Sequence, residues 1–137
     1  MSSVMNNELN PHVVLVPIGT RAATVTLPGL HARKKLRIKK VHLLNGAGIT
    51  ADNTNFLQVS LQDLLAVEYA TLDTRAANQG AVVANTAKEL AKSVGKLATD
   101  NSGELEVPAL TNLQLVVTKN GTAVPTDAVL SIEYYPL

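Results

Sequence analysis

The stretch ELEVPALTNLQLVVTKNGTAVPTDAVLSIEYYPL, residues 104–137, decides the fold. Apolar residues alternate with mostly polar ones along 113–118 and again along 130–134. A period of two places one face of a strand against a core and the other in solvent. The Asn-Gly pair at 120 is a strong turn signal between the two runs, and the connection continues through Pro125. We therefore expect two strands joined as a hairpin with a longer loop.

The same rhythm extends through most of the preceding chain. Val13–Val16 is apolar on both faces, which predicts a strand covered on both sides. Clusters of Gly, Asn, Asp and Pro separate the strand-like runs, and no long helical pattern alternates with them. An all-β protein of about eight antiparallel strands, a β-sandwich or a barrel, is predicted. The further strand-like runs lie at 23–27, 36–43, 57–62, 66–72 and 104–107.

The run 36–43 breaks its own alternation. Leu36 and Ile38 fall on one parity, whereas Val41 and Leu43 fall on the other. A straight strand cannot bury both pairs on one face. We expect a β-bulge or bend near Lys39–Lys40, because one extra residue restores the phase.

One segment has helical rather than strand-like spacing. Thr86 and Glu89 form a capping-box pattern, and Gly95 follows as a stop signal. These features predict one short helix near 86–95, with an extended loop as the alternative. The apolar positions at helical spacing are Ala87, Leu90, Ala91 and Val94.

The length of 137 residues suits a single core. We expect one β-sandwich domain over 12–137, preceded by a polar and flexible N-terminal arm over 1–11. The arm lacks the basic start and apolar run of a signal peptide, and no apolar run approaches the roughly 18 residues of a spanning helix. The expectation is a protein made in a host cytoplasm with no membrane partner.

Composition and motifs argue against an enzyme. The absence of Cys excludes thiolate metal sites, disulfides and Cys nucleophiles. His12, His31 and His42 are widely spaced and form no metal-binding pattern, and no serine lies in a nucleophile elbow. The Gly-x-Gly at 46–48 lacks a third glycine and a following helix, so it is interpreted as a turn. We expect no catalytic residue, no cofactor and no metal.

A run of bases is the most distinctive chemical feature. Six of the twelve Lys and Arg residues fall within eight positions, and the rest of the chain is acidic. On a strand, alternate members of this run would form a cationic ladder about 13 Å long at ~3.3 Å per residue. Three interpretations of the ladder remain open. It contacts an acidic protein surface, it is a solvated edge that blocks aggregation, or it contacts nucleic-acid phosphate. No aromatic residue is interleaved for base stacking, so we expect no direct nucleic-acid contact. The six bases are Arg33, Lys34, Lys35, Arg37, Lys39 and Lys40.

The C-terminal part resembles the capsid decoration, or cement, proteins of tailed bacteriophages, which have a jelly-roll fold. The resemblance lies in a polar strand, a Leu/Val strand that ends in Lys-Asn-Gly-Thr at 119–122, and a closing Ile-Glu-Tyr strand at 132–134. The strand at 37–44 and the Gly-Ala-Gly loop are also similar. About half of the chain is covered, and the resemblance includes no catalytic motif.

The resemblance implies a structural virion protein of jelly-roll type. Such proteins bind the outside of an icosahedral capsid at junctions between major capsid proteins, usually as homodimers or homotrimers, and they stabilise the shell. We expect the capsid contacts to include the basic ladder and, in the arm, Asn6, Asn7 and Leu9. Another virion component, such as a tail, fibre or head-completion protein, is the alternative. A β-sandwich module for nucleic acid or carbohydrate is a further one, although the scarcity of aromatic residues argues against carbohydrate.

Overall fold

The computed structural model describes residues 11–137 and confirms the all-β prediction, with ten strands in two packed antiparallel sheets. The strands are His12–Gly19 (β1), Val25–Ala32 (β2), Leu36–Leu44 (β3), Leu57–Asp63 (β4), Glu68–Asp73 (β5), Lys88–Glu89 (β6), Ala91–Lys92 (β7), Leu105–Val107 (β8), Thr111–Lys119 (β9) and Ala128–Pro136 (β10). Each long strand buries its alternate apolar side chains between the sheets, in a largely aliphatic core.

The strand order is that of a jelly roll. The first sheet has the order β1-β10-β3, and both β6 and β8 pair with the far edge of β3. The second sheet has the order β2-β9-β4-β5-β7. The chain therefore crosses repeatedly between the sheets, which is how double Greek-key sandwiches are built. The predicted antiparallel sandwich of jelly-roll type is confirmed.

The predicted hairpin between the last two long strands is wrong. β9 lies between β2 and β4 in the second sheet, whereas β10 lies between β1 and β3 in the first. The connection 120–127 therefore crosses from one sheet to the other, over the roughly 10 Å that separates packed sheets. The Asn-Gly signal showed that the chain turns there, but it carried no information about pairing partners.

The predicted bulge in β3 is confirmed. Lys40 lies opposite Glu133, and the next paired residue along β3 is Ile38, opposite Tyr134. Lys39 is therefore the extra residue of the bulge. The phase shift allows Ile38 and Val41 to be fully buried on the same side of the sheet.

The predicted helix near 86–95 is wrong. This segment forms β6, β7 and a single 3-10 turn at Val94–Lys96. Between the two short strands, Leu90 is buried and its N–H donates to the Val41 carbonyl at 2.9 Å. β6 pairs with β3 and β7 with β5, so the segment adds a strand to the edge of each sheet in turn. Pairing with two sheet edges outweighs a modest local helix propensity.

β1 is an edge strand of the described chain rather than a strand covered on both sides. It pairs with β10 alone among residues 11–137. Val16 and Ile18 point into the core, but Val13 and Leu15 are 57% and 64% exposed. The prediction of two covered faces is corrected accordingly.

Candidate interaction surface

One end of the sandwich gathers several loops from both sheets. In the second sheet Ala32 pairs with Thr111, and in the first Leu36 pairs with Pro136. The connections β2–β3, β4–β5 and β8–β9 therefore lie at the end where β1 begins and β10 finishes. Two backbone hydrogen bonds join them, from Leu110 N to Ala32 O at 2.6 Å and from Leu137 N to Lys35 O at 2.9 Å. The "basic-apolar end" is defined here by Arg33, Lys34, Lys35, Leu64, Leu65, Val67, Leu110 and Leu137.

Large apolar side chains are concentrated at the basic-apolar end. Of the ten exposed large hydrophobic residues in the described chain, five lie here, and Leu65 and Leu110 are 85% and 76% exposed. A concentration of exposed apolar groups at one end favours an interaction surface there. The other three are Leu64, Val67 and Leu137.

The β4–β5 turn holds its leucines outward by backbone geometry. The Asp63 carboxylate accepts hydrogen bonds from the N–H groups of Leu65 at 2.9 Å and Val67 at 3.0 Å. Ala66 has a φ of +64°, which completes the tight reversal. Because these bonds fix the backbone of the turn, that backbone loses little conformational freedom on binding.

Two concave regions lie at the basic-apolar end. One, of about 310 Å³, lies beside the stacked rings of His12 and Tyr134, whose centroids are 5.5 Å apart, and is flanked by Arg33 and Lys34. The second, of about 460 Å³, is lined mainly by apolar groups of β2 and β9 and by Leu64. The end therefore combines apolar hollows with a basic rim.

The predicted cationic ladder has the expected orientation, but two of its six bases are paired with carboxylates. Leu36 and Ile38 are buried, and the bases between and beside them point outward from the first sheet. Lys35 Nζ lies 3.1 Å from Glu106 Oε1. Arg37 lies within ion-pair distance of three carboxylates: it contacts Asp100, and its Nη atoms lie 3.8 Å from Glu104 and 3.9 Å from Glu106.

Tyr135 completes a group of interacting side chains that we call the ion cluster. Its members are Lys35, Arg37, Asp100, Glu104, Glu106 and Tyr135. The Tyr135 hydroxyl donates to Glu104 Oε1 at 2.5 Å, and burial together with that carboxylate raises the pKa of Tyr135 to about 12. The Arg37 side chain is only 18% exposed, and its Nε has no hydrogen-bond partner among the described residues. The cluster links β3, β8, β10 and the 100–104 loop, so its charged groups are already used in contacts within the protein.

The remaining bases of the ladder divide into two groups. Arg33 and Lys34 lie exposed in the β2–β3 loop, at the basic-apolar end. Lys39 and Lys40 lie at the bulge, away from that end. None of these four has a carboxylate within 4 Å among residues 11–137. Asn6, Asn7 and Leu9, predicted as partner contacts in the arm, lie outside the described residues.

Sequence reasoning missed the apolar residues of this end. Residues 66–72 were interpreted as one strand, so Leu64, Leu65 and Val67 did not stand out as a loop. The sequence did indicate the end of the strand, because the alternation of 57–62 stops at Asp63 and two leucines, Leu64 and Leu65, follow it. The sequence around Leu110 did not indicate an exposed loop, because that loop is recognisable only from the pairing of β8 and β9 with different sheets.

The ion cluster predicts a measurable loss of stability in acid. Hydrogen bonds from Ser102 and Arg37 lower the pKa of Asp100 to about 2, against an ordinary value of 3.8. A lowered folded-state pKa adds stability that is present above the unfolded value and is lost as the pH falls through the folded value. Asp100→Asn should therefore flatten the fall in unfolding free energy between about pH 4 and pH 2. Urea unfolding across that range measures it, with Asp127→Asn as the matched control. A fall as steep in Asp100→Asn as in the wild type would contradict this prediction.

Within residues 11–137, no helix has the length and apolar character needed to cross a bilayer, and no group of three or more His, Asp or Glu side chains is placed to hold a metal ion. Neither a protein-family model nor a curated protein shows significant similarity to the chain. Among solved structures, "Structure of infectious bursal disease virus Gx strain" matches 92% of this chain and 38% of its own, with 13% identity and a TM-score of 0.27. The chain thus spans little more than a third of that protein's length, and a TM-score this low supports no inference about function.

Proposed function

We propose that this chain is a structural virion protein without enzymatic activity. It binds the outer surface of an icosahedral phage capsid, at junctions between major capsid proteins, and stabilises the shell. The observation that carries the proposal is the basic-apolar end, where five exposed large apolar residues and two unpaired bases lie on loops from both sheets. The resemblance of residues 104–135 to phage decoration proteins points in the same direction.

The attachment is proposed to be end-on. Leu65 and Leu110, the most exposed apolar side chains of this end, fill apolar hollows of the capsid, while Arg33 and Lys34 meet acidic groups around them. Burial of exposed leucine is favourable by roughly 1.5–3 kcal/mol per side chain. The contacts predicted in the arm, Asn6, Asn7 and Leu9, remain part of the proposed interface.

The absence of aromatic residues interleaved with the ladder favours a protein partner over nucleic acid. Of the six bases, Lys35 and Arg37 are paired with Glu106, Glu104 and Asp100, which reduces the charge that is free for phosphate contacts. The partner proposed is the major capsid protein, and the location is the virion exterior. Homodimers or homotrimers on a shell would bind multivalently, so modest individual contacts would suffice.

Binding to shells tests this function directly. The major capsid protein encoded nearest to this chain is assembled into expanded shells, and the shells are sedimented with increasing amounts of the full-length protein. We expect saturation at a fixed number of copies per shell, and cryo-electron microscopy should show density at capsomer junctions. Saturated shells should also resist heat and urea better than bare shells, because a ligand of the assembled state stabilises it by mass action.

Two outcomes would overturn the proposal. One is the absence of saturable binding to expanded shells. The other is binding to vesicles of anionic phospholipid but not to shells, which would assign the apolar loops and bases of this end to a lipid surface. A steep salt dependence with DNA fragments and no shell binding would assign the bases to phosphate instead.

A further inference from the structure

We infer a second binding site, for neutral carbohydrate, on the outer face of the second sheet. A groove of about 400 Å³ runs over β9, β4 and β5, from the loop after β5 to Gln62 and Glu68 beside the β4–β5 turn. It is called the amide-hydroxyl groove, and its volume lies in the range of small-molecule sites. Its floor and wall include Gln58, Ser60, Thr71, Asp73, Gln79 and Thr118.

The floor of the groove carries hydroxyl and amide side chains in register across three strands, together with Val116 and the carboxylate of Asp73. Gln58 lies between Thr118 and Asp73, and Ser60 lies between Val116 and Thr71. The strands that form the floor present no Lys or Arg to the groove, although the chain has twelve. The outer face of the first sheet is different, since Arg37, Lys39 and Lys40 lie there. The groove therefore differs in chemistry from the outer face of the first sheet.

One wall of the groove is locked in place by a bidentate ion pair. Arg75 Nε donates to both oxygens of Asp73, at 3.1 and 3.0 Å, and its Nη2 donates at 2.6 Å. Gln58 Nε2 donates to the same carboxylate at 2.9 Å. The guanidinium also lies 4.5 Å above the centre of the Phe56 ring. Burial opposes ionisation of Asp73, yet the bonds from Arg75 and Gln58 lower its pKa to about 2, so the pair stays charged and fixed.

A second set of bonds fixes the loop behind that wall. The Gln79 side chain accepts from Asp73 N at 2.9 Å and donates to Thr71 O at 3.1 Å. Ser60 Oγ donates to Glu68 at 2.8 Å. The hydroxyls of Thr71 and Thr118, by contrast, have no hydrogen-bond partner among the described residues and remain available. A preorganised frame that surrounds free hydroxyls loses little entropy on binding.

The chemistry of the groove selects the class of ligand. Amides and hydroxyls both donate and accept hydrogen bonds, as sugar hydroxyls do. An anion would meet Asp73 and Glu68. A cation would find Asp73 already neutralised by Arg75, and the single carboxylate of Glu68 already accepts a hydrogen bond from Ser60. Phe56 offers no free face for stacking, because Arg75 covers it. Binding therefore depends on hydrogen bonds alone, and a dissociation constant of roughly 1 mM is expected, which many copies on one particle would strengthen.

Amide NMR titration of the full-length protein provides the test. The probes are maltoheptaose, cellohexaose and a mannan-derived oligosaccharide, with a heparin oligosaccharide as the polyanionic arm. We expect the neutral sugars, but not heparin, to shift the amides of β4, β5 and β9. A Thr71→Val/Thr118→Val double variant is isosteric and should weaken binding at least tenfold, whereas Thr99→Val should leave it unchanged.

Two results would overturn the inference. One is the absence of shifts in the amide-hydroxyl groove with every neutral probe at about 10 mM, well above the expected dissociation constant. The other is equal affinity of the wild type and the double variant. The site is independent of the proposed capsid attachment, since the double variant should still bind shells. Shell binding and sugar binding therefore fail or succeed separately.

Discussion

Replacing Leu65 and Leu110 with Asp is expected to weaken binding to capsid shells by at least about 100-fold, or about 2.7 kcal/mol. The two side chains are the most exposed large apolar groups of the basic-apolar end. If they enter apolar hollows of the capsid, each substitution removes favourable burial and places an unpaired carboxylate in the interface. Neither side chain belongs to the core, so the fold should be retained. Leu110 has a φ of +66°, a conformation that Asp adopts more readily than Leu.

The matched control carries the same change of charge at the opposite end of the sandwich. Val83 is 65% exposed, and Thr122 lies in the β9–β10 connection. A Val83→Asp/Thr122→Asp variant should bind shells within about threefold of the wild type, a difference well below 1.4 kcal/mol. Co-sedimentation isotherms measure both variants, and urea unfolding verifies that each is folded.

A different ranking of the variants would revise the model of attachment. Full shell binding by Leu65→Asp/Leu110→Asp would remove the basic-apolar end from the interface. Loss of binding in the control alone would place the interface at the opposite end. An Arg33→Ala/Lys34→Ala variant separates the apolar and ionic contributions, because rim charges act mainly on the association rate and its salt dependence.

The local part of the fold was predictable because a strand with one buried and one exposed face has alternating apolar and polar residues. The alternation at 57–62 and 113–118 reports directly which side chains of β4 and β9 face the core. The parity change between Ile38 and Val41 likewise required a bulge, since both residues are too apolar to face solvent. In each case the information lies within a few residues of the feature that it specifies.

Features that depend on distant partners were not predictable in this way. The hairpin between β9 and β10 failed because the choice of partner is made by β2, β4, β1 and β3, which lie far away in sequence. The helix near 86–95 failed for a related reason. Its backbone groups find better partners on the edges of β3 and β5 than in a short isolated helix, which is marginal in water.

In the candidate site, too, local features were predictable and contacts with distant residues were not. The outward orientation of Lys35 and Arg37 followed from the alternation of their strand. Their neutralisation did not, because Asp100 and Glu104 come from a loop more than sixty residues later. Glu104 and Glu106 have the same parity along the chain, but only the register of β8 on β3 brings them beside Arg37.

Deletion of Lys39 is expected to remove at least about 4 kcal/mol of unfolding free energy, a large fraction of the stability of a domain of this size. Lys39 is the extra residue that brings Leu36 and Ile38 into phase with Val41. Without it, a continuous β3 would turn Leu36 and Ile38 to solvent and place Arg37 in the core. Each exposed apolar side chain costs roughly 1.5–3 kcal/mol, and burial of an unpaired guanidinium adds to that loss.

A substitution at the same position separates the length of the strand from the chemistry of the side chain. Lys39→Ala keeps the bulge and should change the unfolding free energy by less than about 0.5 kcal/mol, as is usual for a surface position. Urea unfolding followed by circular dichroism measures both variants, and amide NMR reports whether the deletion variant keeps the native pairing of β3 with β10. If the deletion variant unfolds with the wild-type midpoint, the β2–β3 loop has supplied the missing residue by a register slip, and the bulge is not what fixes the phase of β3. If Lys39→Ala is as unstable as the deletion, the side chain and not the extra residue stabilises this strand. The expected order, with the deletion far below both the substitution and the wild type, would show that one inserted residue sets which face of β3 forms the core and which carries the ion cluster.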